Sequence, residues 1–375
     1  MQTAIQLLRE LIRIPSVSSL SNRGVVDHAI CVLQRVGWQT LRQPYLDLQG
    51  VEKHNLLAFP PGQNRTDRLV DLLFVCHTDT VPYSDSWEHA VKPHIADGFV
   101  YGCGACDVKG FLACLLTTIT EINPGELSRS VGIALTADEE IGCIGASKLF
   151  ESQAILPKHV LIGEPTSLHP GRAGKGYCLA EITIVGREAH SAHPSLGASA
   201  IFHAARLIAK IEEIETSLRQ RPYDFFDPPF TTLNLGVIEG GTAKNIVPGH
   251  CKFLLEWRPI PGEDTHHVPG MVRQAIELLQ RENQELQCEI QIVRDQPGFA
   301  GIANSDLVRR IESSSGKKPV ALSFGTEATV FSQVTDDVVV FGPGDMRTAH
   351  SNRECVPIAE LGKCVTCLKE LITAT

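Results

Sequence analysis

The chain has 375 residues, of which 43% are hydrophobic and 21% charged; this is an ordinary globular composition, and the length favours two domains over a single core. The formal net charge is −9 and no block of Lys or Arg residues stands out, which argues against binding to nucleic acid or to an anionic membrane. No apolar run approaches the ~20 residues that cross a bilayer. The N-terminal stretch MQTAIQLLRELIRIPS predicts an amphipathic helix rather than a signal peptide, so we expect a cytoplasmic protein.

The alternation of apolar runs and helical patterns in the first part of the chain indicates an α/β domain. Helical patterns cover 24–36 and 110–122, and buried-strand runs cover 69–76, 131–136 and 159–163. Strands that alternate with helices in this way predict a mainly parallel sheet flanked by helices on both faces.

The alternation of buried strands and helices stops near residue 175 and resumes near residue 295. Between these points the predicted elements are a strand at 178–185, a helix at 197–216, strands near 231–238 and 251–257, a helix at 267–282 and a strand at 288–293. This β-α-β-β-α-β order is typical of a ferredoxin-like α+β domain. The chain then continues with a helix near 304–315, a strand at 337–341 and a helix from about 358. We therefore expect a catalytic domain made of residues 1–175 and 295–375, with residues 176–294 inserted as a lid or dimerisation domain.

The twelve cysteines leave a second kind of site open. Without a secretion signal we expect them to be reduced thiols that serve mainly as small core residues. Two CxxC pairs, Cys103/Cys106 and Cys364/Cys367, would suit a zinc ribbon or a redox site. Each pair lies in a segment that has another explanation, and the pairs are far apart in the sequence, so this alternative is disfavoured.

Acidic and imidazole side chains follow the predicted strands of the first domain. They are His77 and Asp79 after strand 69–76, Asp107 in a glycine-rich turn before helix 110–122, Glu139 and Glu140 after strand 131–136, Glu164 after strand 159–163, and His350 after strand 337–341. If each of these groups follows a buried strand, all can converge on one edge of the sheet. Nitrogen and oxygen ligands without thiolates suit Zn²⁺, and also Co²⁺ or Mn²⁺. Five ligands that include a carboxylate able to bridge suit two ions ~3.5–4 Å apart.

Each of these residues also has a simpler structural explanation. Asp107 could cap the following helix, and the Glu139–Glu140 pair could mark a solvated helix start where carboxylates favour the N-terminal dipole. Because several independent caps at several strand ends are an improbable coincidence, the pattern favours a metal centre.

Several motifs together resemble a known enzyme family. HTDTVP at 77–82, YGxGxxDxKG at 101–110, TADEE at 136–140 and IGEPTS at 162–167 resemble the co-catalytic zinc family of aminoacylases, succinyl-diaminopimelate desuccinylases and glutamate carboxypeptidases. Further segments are similar to the branch of that family that deacetylates acetylornithine: RAGKG at 172–176, TLNLGVIEGG at 232–241, WRPIPG at 257–262, TEA at 326–328 and GPGDMRTAH at 342–350. The resemblance extends from about residue 8 to 355, and implies a zinc-exopeptidase-like fold.

The resemblance implies a ligand set for two divalent metal ions, zinc above all. It assigns His77 and Glu164 to one ion and Glu140 and His350 to the other, with Asp107 bridging the two.

The resemblance also implies two catalytic roles beside the metal ligands. Asp79 would hydrogen-bond to His77 and fix its tautomer. Glu139 would be the general base, which takes a proton from the attacking water and returns it to the leaving amine.

Four further residues are candidates for the acyl group or the substrate. Alone, His190 in GREAHSAHP would be a turn histidine, but the resemblance implies that it helps to hold the oxyanion, often in the active site of a partner subunit, and so implies a homodimer. Arg258 and Asn245 are candidates for substrate binding, since a guanidinium suits an α-carboxylate. Glu327 is a candidate for contact with a cationic substrate side chain, although a supporting role fits it equally well.

The resulting expectation is a two-metal amidohydrolase that converts N2-acetyl-L-ornithine to L-ornithine and acetate in arginine biosynthesis. Alternative substrates within the same chemistry are acetylcitrulline, succinyl-diaminopimelate, another N-acyl amino acid or a dipeptide. From other functional classes, an inactive metal-binding scaffold and a redox protein built on the CxxC pairs stay open.

Overall fold

A computed structural model describes residues 2–63 and 68–373 of the chain. The helices are α1 (Gln2–Ile12), α2 (Arg23–Arg35), α3 (Lys109–Glu121), α4 (Ile144–Ser152), α5 (Ala200–Leu218), α6 (His267–Glu282), α7 (Asp306–Ser315), α8 (Ala328–Phe331) and α9 (Ile358–Thr373). The strands are β1 (Gln39–Leu46), β2 (Glu52–Phe59), β3 (Leu69–His77), β4 (His94–Ala96), β5 (Phe99–Tyr101), β6 (Val131–Thr136), β7 (Leu156–Gly163), β8 (Gly171–Gly174), β9 (Tyr177–Val185), β10 (Ala189–His190), β11 (Thr232–Gly240), β12 (Ile246–Val247), β13 (His250–Arg258), β14 (Gln287–Gln296), β15 (Phe299–Ala300), β16 (Val320–Leu322), β17 (Val338–Phe341) and β18 (Cys355–Pro357).

The chain divides into two compact units. Unit 1 comprises Met1–Arg172, Ala300–Val320 and Thr326–Thr375, and unit 2 comprises Ala173–Phe299 and Ala321–Gly325. Unit 2 includes the short segment Ala321–Gly325, which the sequence pattern placed in the catalytic domain.

Unit 1 is built around a mixed, mostly parallel sheet. Its strands lie in the order β1-β2-β6-β3-β7-β17. Strand β3 is parallel to both β6 and β7, and β17 is parallel to β7. Strand β2, by contrast, is antiparallel to both of its neighbours, β1 and β6. Every residue of β6 and β17 is buried, as expected for central strands covered on both faces. The predicted α/β class is confirmed.

Helices α1, α3 and α9 pack together in the main core of unit 1. The apolar stripe of α1 is fully buried at Leu8, Leu11 and Ile12, and burial of each such side chain contributes ~1.5–3 kcal/mol. Helix α3 is buried along nearly its whole length, so the segment directly before it is held firmly in place.

Unit 2 has a four-stranded antiparallel sheet in the order β11-β13-β9-β14. Helices α5 and α6 pack against each other, and the buried residues of β9 and β13 alternate with partly exposed ones. This is the ferredoxin-like arrangement that the element order predicts, with the helices and one face of the sheet forming a second core. Across the described part of the chain, no helix combines the length and the apolar character needed to cross a membrane.

Candidate metal centre

Four strands of the main sheet deliver polar side chains to one edge. His77 is the last residue of β3, while Glu139, Glu164 and His350 follow β6, β7 and β17 along the chain. Since these four strands run parallel, their carboxyl ends share one edge of the sheet.

Asp107 reaches the same place by another route. The strand before it, β5, belongs to a separate antiparallel sheet with the order β18-β5-β4. The expectation that every candidate ligand follows a strand of one common sheet is therefore wrong for Asp107, which lies in the turn that leads into α3.

A glycine lets α3 approach the end of β7 closely. A Cβ on Gly163 would lie 2.0 Å from Cδ1 of Phe111, which real atoms cannot do. Phe111 lies in the first turn of α3, shortly after Asp107, and Gly163 directly precedes Glu164. The close contact between Phe111 and Gly163 therefore brings the segments of the two carboxylates together.

The five predicted ligands form two groups that share one residue. His77, Asp107 and Glu164 form one group and Asp107, Glu140 and His350 the other; within each, the ligand atoms lie within 4.8 Å of one another. Oδ1 of Asp107 lies 3.2 Å from Nε2 of His77, and Oδ2 lies 3.1 Å from Nε2 of His350. Each oxygen of Asp107 thus faces a different group, which is the arrangement that a bridging carboxylate requires.

The electrostatics of the cluster favour bound cations. Burial, together with the charge of Asp107, raises the pKa of Glu164 well above its usual value, and the same two causes raise the pKa of Glu140. Burial lowers the pKa of His77, but its hydrogen bonds with Asp107 and Asp79 outweigh this and raise that pKa. The cluster thus holds several carboxylates that are removed from water and have few positive charges beside them, which favours bound cations. Its ligand atoms are nitrogen and oxygen only, and this set fits two divalent cations.

Asp79 contacts both His77 and the turn that carries the predicted base. Nδ1 of His77 lies 3.1 Å from the backbone carbonyl oxygen of Asp79 and 3.6 Å from its carboxylate, so the carbonyl is the closer partner. The buried carboxylate also accepts hydrogen bonds from the Ser18 hydroxyl (2.7 Å) and from the backbone N–H groups of Glu139 (3.1 Å) and Glu140 (3.3 Å). Asp79 therefore also positions the turn that carries the predicted base.

That turn is held by a second buried network. Asp138 has a φ of +57°, a conformation that Asp tolerates better than most residues. Its carboxylate pairs with Lys53 at 3.0 Å and accepts a hydrogen bond from the Tyr45 hydroxyl at 2.8 Å. The next residue, Glu139, is 8% exposed, and the Cys143 thiol donates to its Oε1 at 3.4 Å. Burial raises the pKa of Glu139, as suits a group that must accept a proton near neutral pH.

Glu327 is a buried carboxyl group that interacts electrostatically with His77 and Asp79. Its side chain is 0% exposed, directly before α8, and burial raises its pKa to about 7. The charge of His77 lowers the pKa of this carboxyl group and the charge of Asp79 raises it, but burial has the larger effect. This position favours the supporting role over contact with a substrate.

The remaining candidates lie in unit 2. His190 is exposed on β10, which pairs with β12, and the neighbouring Ser191 N–H donates to the backbone oxygen of Asn245 at 3.0 Å. Arg258, at the end of β13, pairs with Glu256 at 2.8 Å, and its guanidinium carbon lies 4.5 Å from the centroid of the Tyr177 ring. The structure thus brings His190 and Asn245 together and holds the Arg258 guanidinium in a defined orientation.

The cysteines are free thiols. Cys364 and Cys367 are buried on α9, and Cys103 and Cys106 are buried in the turn before Asp107. No cysteine belongs to a group able to hold a metal within residues 2–63 and 68–373, which argues against the zinc-ribbon alternative.

Sequence reasoning missed three residues that shape the site: Cys143, Lys53 and Glu354. Glu354 accepts hydrogen bonds from three backbone N–H groups of the Asp107 turn. A possible signal was its position four residues after His350.

Comparisons with known proteins bear on these observations. The family described as Peptidase family M20/M25/M40 matches residues 73–374. An acetylornithine deacetylase of Myxococcus xanthus is 42% identical over 366 residues, which cover 97% of this chain and 95% of that protein. The crystal structure of aminopeptidase PepT from Bacillus cereus superposes with a TM-score of 0.80 at 21% identity, covering 99% of this chain and 98% of that one. The YXEP protein of Bacillus subtilis, described as a dinuclear metal-binding peptidase from the M20 family, superposes with a TM-score of 0.69 at 15% identity, covering 99% and 96%.

Proposed function

Because the chain belongs to peptidase family M20/M25/M40, and is thus a metal-dependent amide hydrolase, we propose that it removes the acetyl group from N2-acetyl-L-ornithine to give L-ornithine and acetate, a step of arginine biosynthesis. The observation that carries the proposal is the sharing of Asp107 between two clusters of metal-binding side chains. The choice of substrate is supported by the 42% identity to a deacetylase over almost the whole chain.

The two clusters define how the cations would be held. His77 and Glu164 would bind one ion and Glu140 and His350 the other, with one oxygen of Asp107 turned to each. Zinc is the ion that this donor set suits best, and cobalt or manganese would also fit. When bound, such ions supply Lewis-acid activation of water and of the acyl carbonyl.

The protein's own residues carry the proton. Glu139 lies next to a ligand but is not in either metal-binding group, so its carboxylate is available to accept the proton of the attacking water. Since burial favours its protonated form, it can hold that proton and deliver it to the departing amine. The Asp79 carboxylate accepts a hydrogen bond from the backbone N–H of Glu139 and so keeps Glu139 in place.

Substrate recognition is assigned to unit 2. The Arg258 guanidinium, stacked on Tyr177, would bind the α-carboxylate, since its orientation is fixed before the ligand arrives. His190 and Asn245 belong to neighbouring, hydrogen-bonded segments of the chain. Their side chains would contact the acyl group or the main chain of the substrate.

We propose that unit 2 also mediates a homodimer. Large apolar side chains are exposed there at Phe202 (69%), Ile238 (55%) and Val237 (48%), and Phe202 lines a groove of about 760 Å³. Large exposed apolar side chains are common at protein–protein interfaces. The free cysteines support a reducing compartment, and we propose the cytoplasm.

The test is an assay of the metal-reconstituted enzyme against acetylornithine, acetylcitrulline, succinyl-diaminopimelate and a dipeptide. We expect kcat/KM for acetylornithine to exceed each of the others by at least ~10-fold, a difference that side-chain recognition readily supplies. Preference for another member of the panel would contradict the substrate. Absence of any metal-dependent hydrolysis would contradict the enzyme itself and favour a binding scaffold.

A further inference from the structure

The turn at residues 102–107, here named the ligand loop, ends at Asp107, and four of its backbone N–H groups donate to a single distant residue, Glu354. The N–H of Gly104 donates to Oε2 of Glu354 at 3.0 Å, and the N–H groups of Cys106 and Asp107 both donate to Oε1 at 3.1 Å. The N–H of Gly102 donates to the backbone oxygen of Glu354 at 3.3 Å. One residue therefore satisfies four N–H groups of a buried loop.

The position of Glu354 in the chain gives these contacts a consequence for the metal centre. Glu354 follows His350 by four residues and directly precedes β18, which pairs with β5. The carboxylate thus fastens the loop that carries Asp107 to the segment that carries His350. These two candidate ligands lie 243 positions apart in the sequence, yet Oδ2 of one and Nε2 of the other are 3.1 Å apart.

The contacts exclude a direct role for Glu354 as a ligand. Its side chain is 2% exposed, and both oxygens are directed at backbone N–H groups. It belongs to neither metal-binding group of the described chain. A buried carboxylate that accepts several N–H groups fixes backbone geometry more strongly than a neutral acceptor can, because each hydrogen bond is charge-assisted.

We propose that Glu354 is a positioning residue that sets the separation of Asp107 and His350, and thereby the affinity of the cation shared by Asp107, Glu140 and His350. The inference rests on the two-cation site proposed above. It assigns no bond to the cation and no contact with the substrate.

The first test is a titration of the metal-free protein with Co²⁺, followed by visible absorption, in the wild type and in Glu354→Gln. The oxygen of the new amide can still accept from the N–H groups of Cys106 and Asp107. Its NH₂ group then faces the N–H of Gly104, and two donors cannot form a hydrogen bond with each other. We expect the second Co²⁺ to bind ~10–100-fold more weakly, the usual effect of removing a group that orients a ligand. The first Co²⁺, held by His77 and Glu164 with Asp107, should be affected less.

Asp337→Asn is the matched control. Asp337 is also a buried carboxylate of unit 1, paired with Nδ1 of His159 at 2.7 Å, but it directly precedes β17 and so lies at the opposite end of that strand from His350. Its variant should bind both Co²⁺ ions as the wild type does. A saturating concentration of Co²⁺ should restore the kcat of Glu354→Gln with KM unchanged, a rescue that a general loss of structure would not allow.

Amide hydrogen exchange of the metal-free protein gives a second measurement. Exchange in the ligand loop should accelerate in Glu354→Gln and stay unchanged in Asp337→Asn. If Glu354→Gln does not fold, Glu354→Asp, which keeps the charge but is one methylene shorter, is measured by the same criteria.

The outcomes separate the inference from the proposed function. A wild type that takes up fewer than two Co²⁺ ions contradicts the two-cation site, and the inference with it. The other outcome is a wild type that takes up two ions and a folded Glu354 variant that binds its second Co²⁺ with an affinity within ~2-fold of the wild-type value. That result contradicts the inference alone.

Discussion

Replacement of Asp79 by asparagine tests how the site is held together. The carboxylate is 2% exposed and accepts from the backbone of both Glu139 and Glu140, as well as from the Ser18 hydroxyl. Asparagine has nearly the same shape, so the substitution changes hydrogen bonding and charge without opening a cavity.

The size of the effect follows from these contacts. The amide can place its NH₂ group at the position of Oδ2, where the Ser18 hydroxyl can turn and accept, but the Glu140 N–H then loses its acceptor. An unsatisfied N–H in this setting costs ~1–3 kcal/mol, and the remaining bond from Glu139 loses its charge assistance, about 1 kcal/mol more. We expect Asp79→Asn to lower the free energy of unfolding by ~2–4 kcal/mol and kcat/KM by ~10–100-fold.

The assay is a denaturant titration of the metal-free protein together with steady-state kinetics of the reconstituted enzyme. Ser18→Ala is the control, because it removes one donor to Asp79 and leaves both backbone contacts intact; it should cost ~1 kcal/mol and leave kcat near the wild-type value. The reasoning is refuted if Asp79→Asn is no more damaging than Ser18→Ala.

Four further predictions address the chemistry, the metal, the substrate and the assembly. Glu139→Gln should still take up two metal ions, as measured by elemental analysis, but lose ~10²–10⁴-fold in kcat; turnover near the wild-type rate would remove Glu139 from its role. A chelator should abolish hydrolysis, and added Zn²⁺ or Co²⁺ should restore it, whereas activity that persists without metal would contradict a metal-dependent reaction. Arg258→Gln should raise KM by ~10–100-fold, the equivalent of one charged hydrogen bond, with kcat changed less; an unchanged KM would exclude carboxylate binding by Arg258. Phe202→Glu should convert a dimer to a monomer in sedimentation velocity, and a wild type that sediments as a monomer would contradict the homodimer.

Much of the fold could be predicted because the apolar patterns are strong. The run VGIALT predicts a buried strand at 131–136 and the structure has Val131–Thr136, since a short apolar run between polar segments has few alternatives. The helix predicted at 267–282 is His267–Glu282. Strands β1 and β2 were not predicted. Strand β1 is an edge strand with no fully buried residue, so its sequence QTLRQPYL lacks the apolar pattern on which strand prediction depends.

The candidate ligands could be predicted because their residue types and their positions at strand ends are visible in the sequence. What fixes their geometry could not. The contacts of Glu354 with the ligand loop join residues 247–250 positions apart, and such pairings depend on how β5 and β18 meet. The contact of Cys143 with Glu139 lies in a turn where Asp138 and Cys143 both have a positive φ, and apolar periodicity does not predict such a turn.

A crystal structure of the zinc-loaded protein, with anomalous diffraction measured at the zinc edge, would test the two-ion site itself. A site shared by two ions should give two peaks ~3.5–4 Å apart, one contacted by His77 and Glu164, the other by Glu140 and His350, with the Asp107 carboxylate between them. A single peak, or zinc bound elsewhere in the molecule, would contradict it.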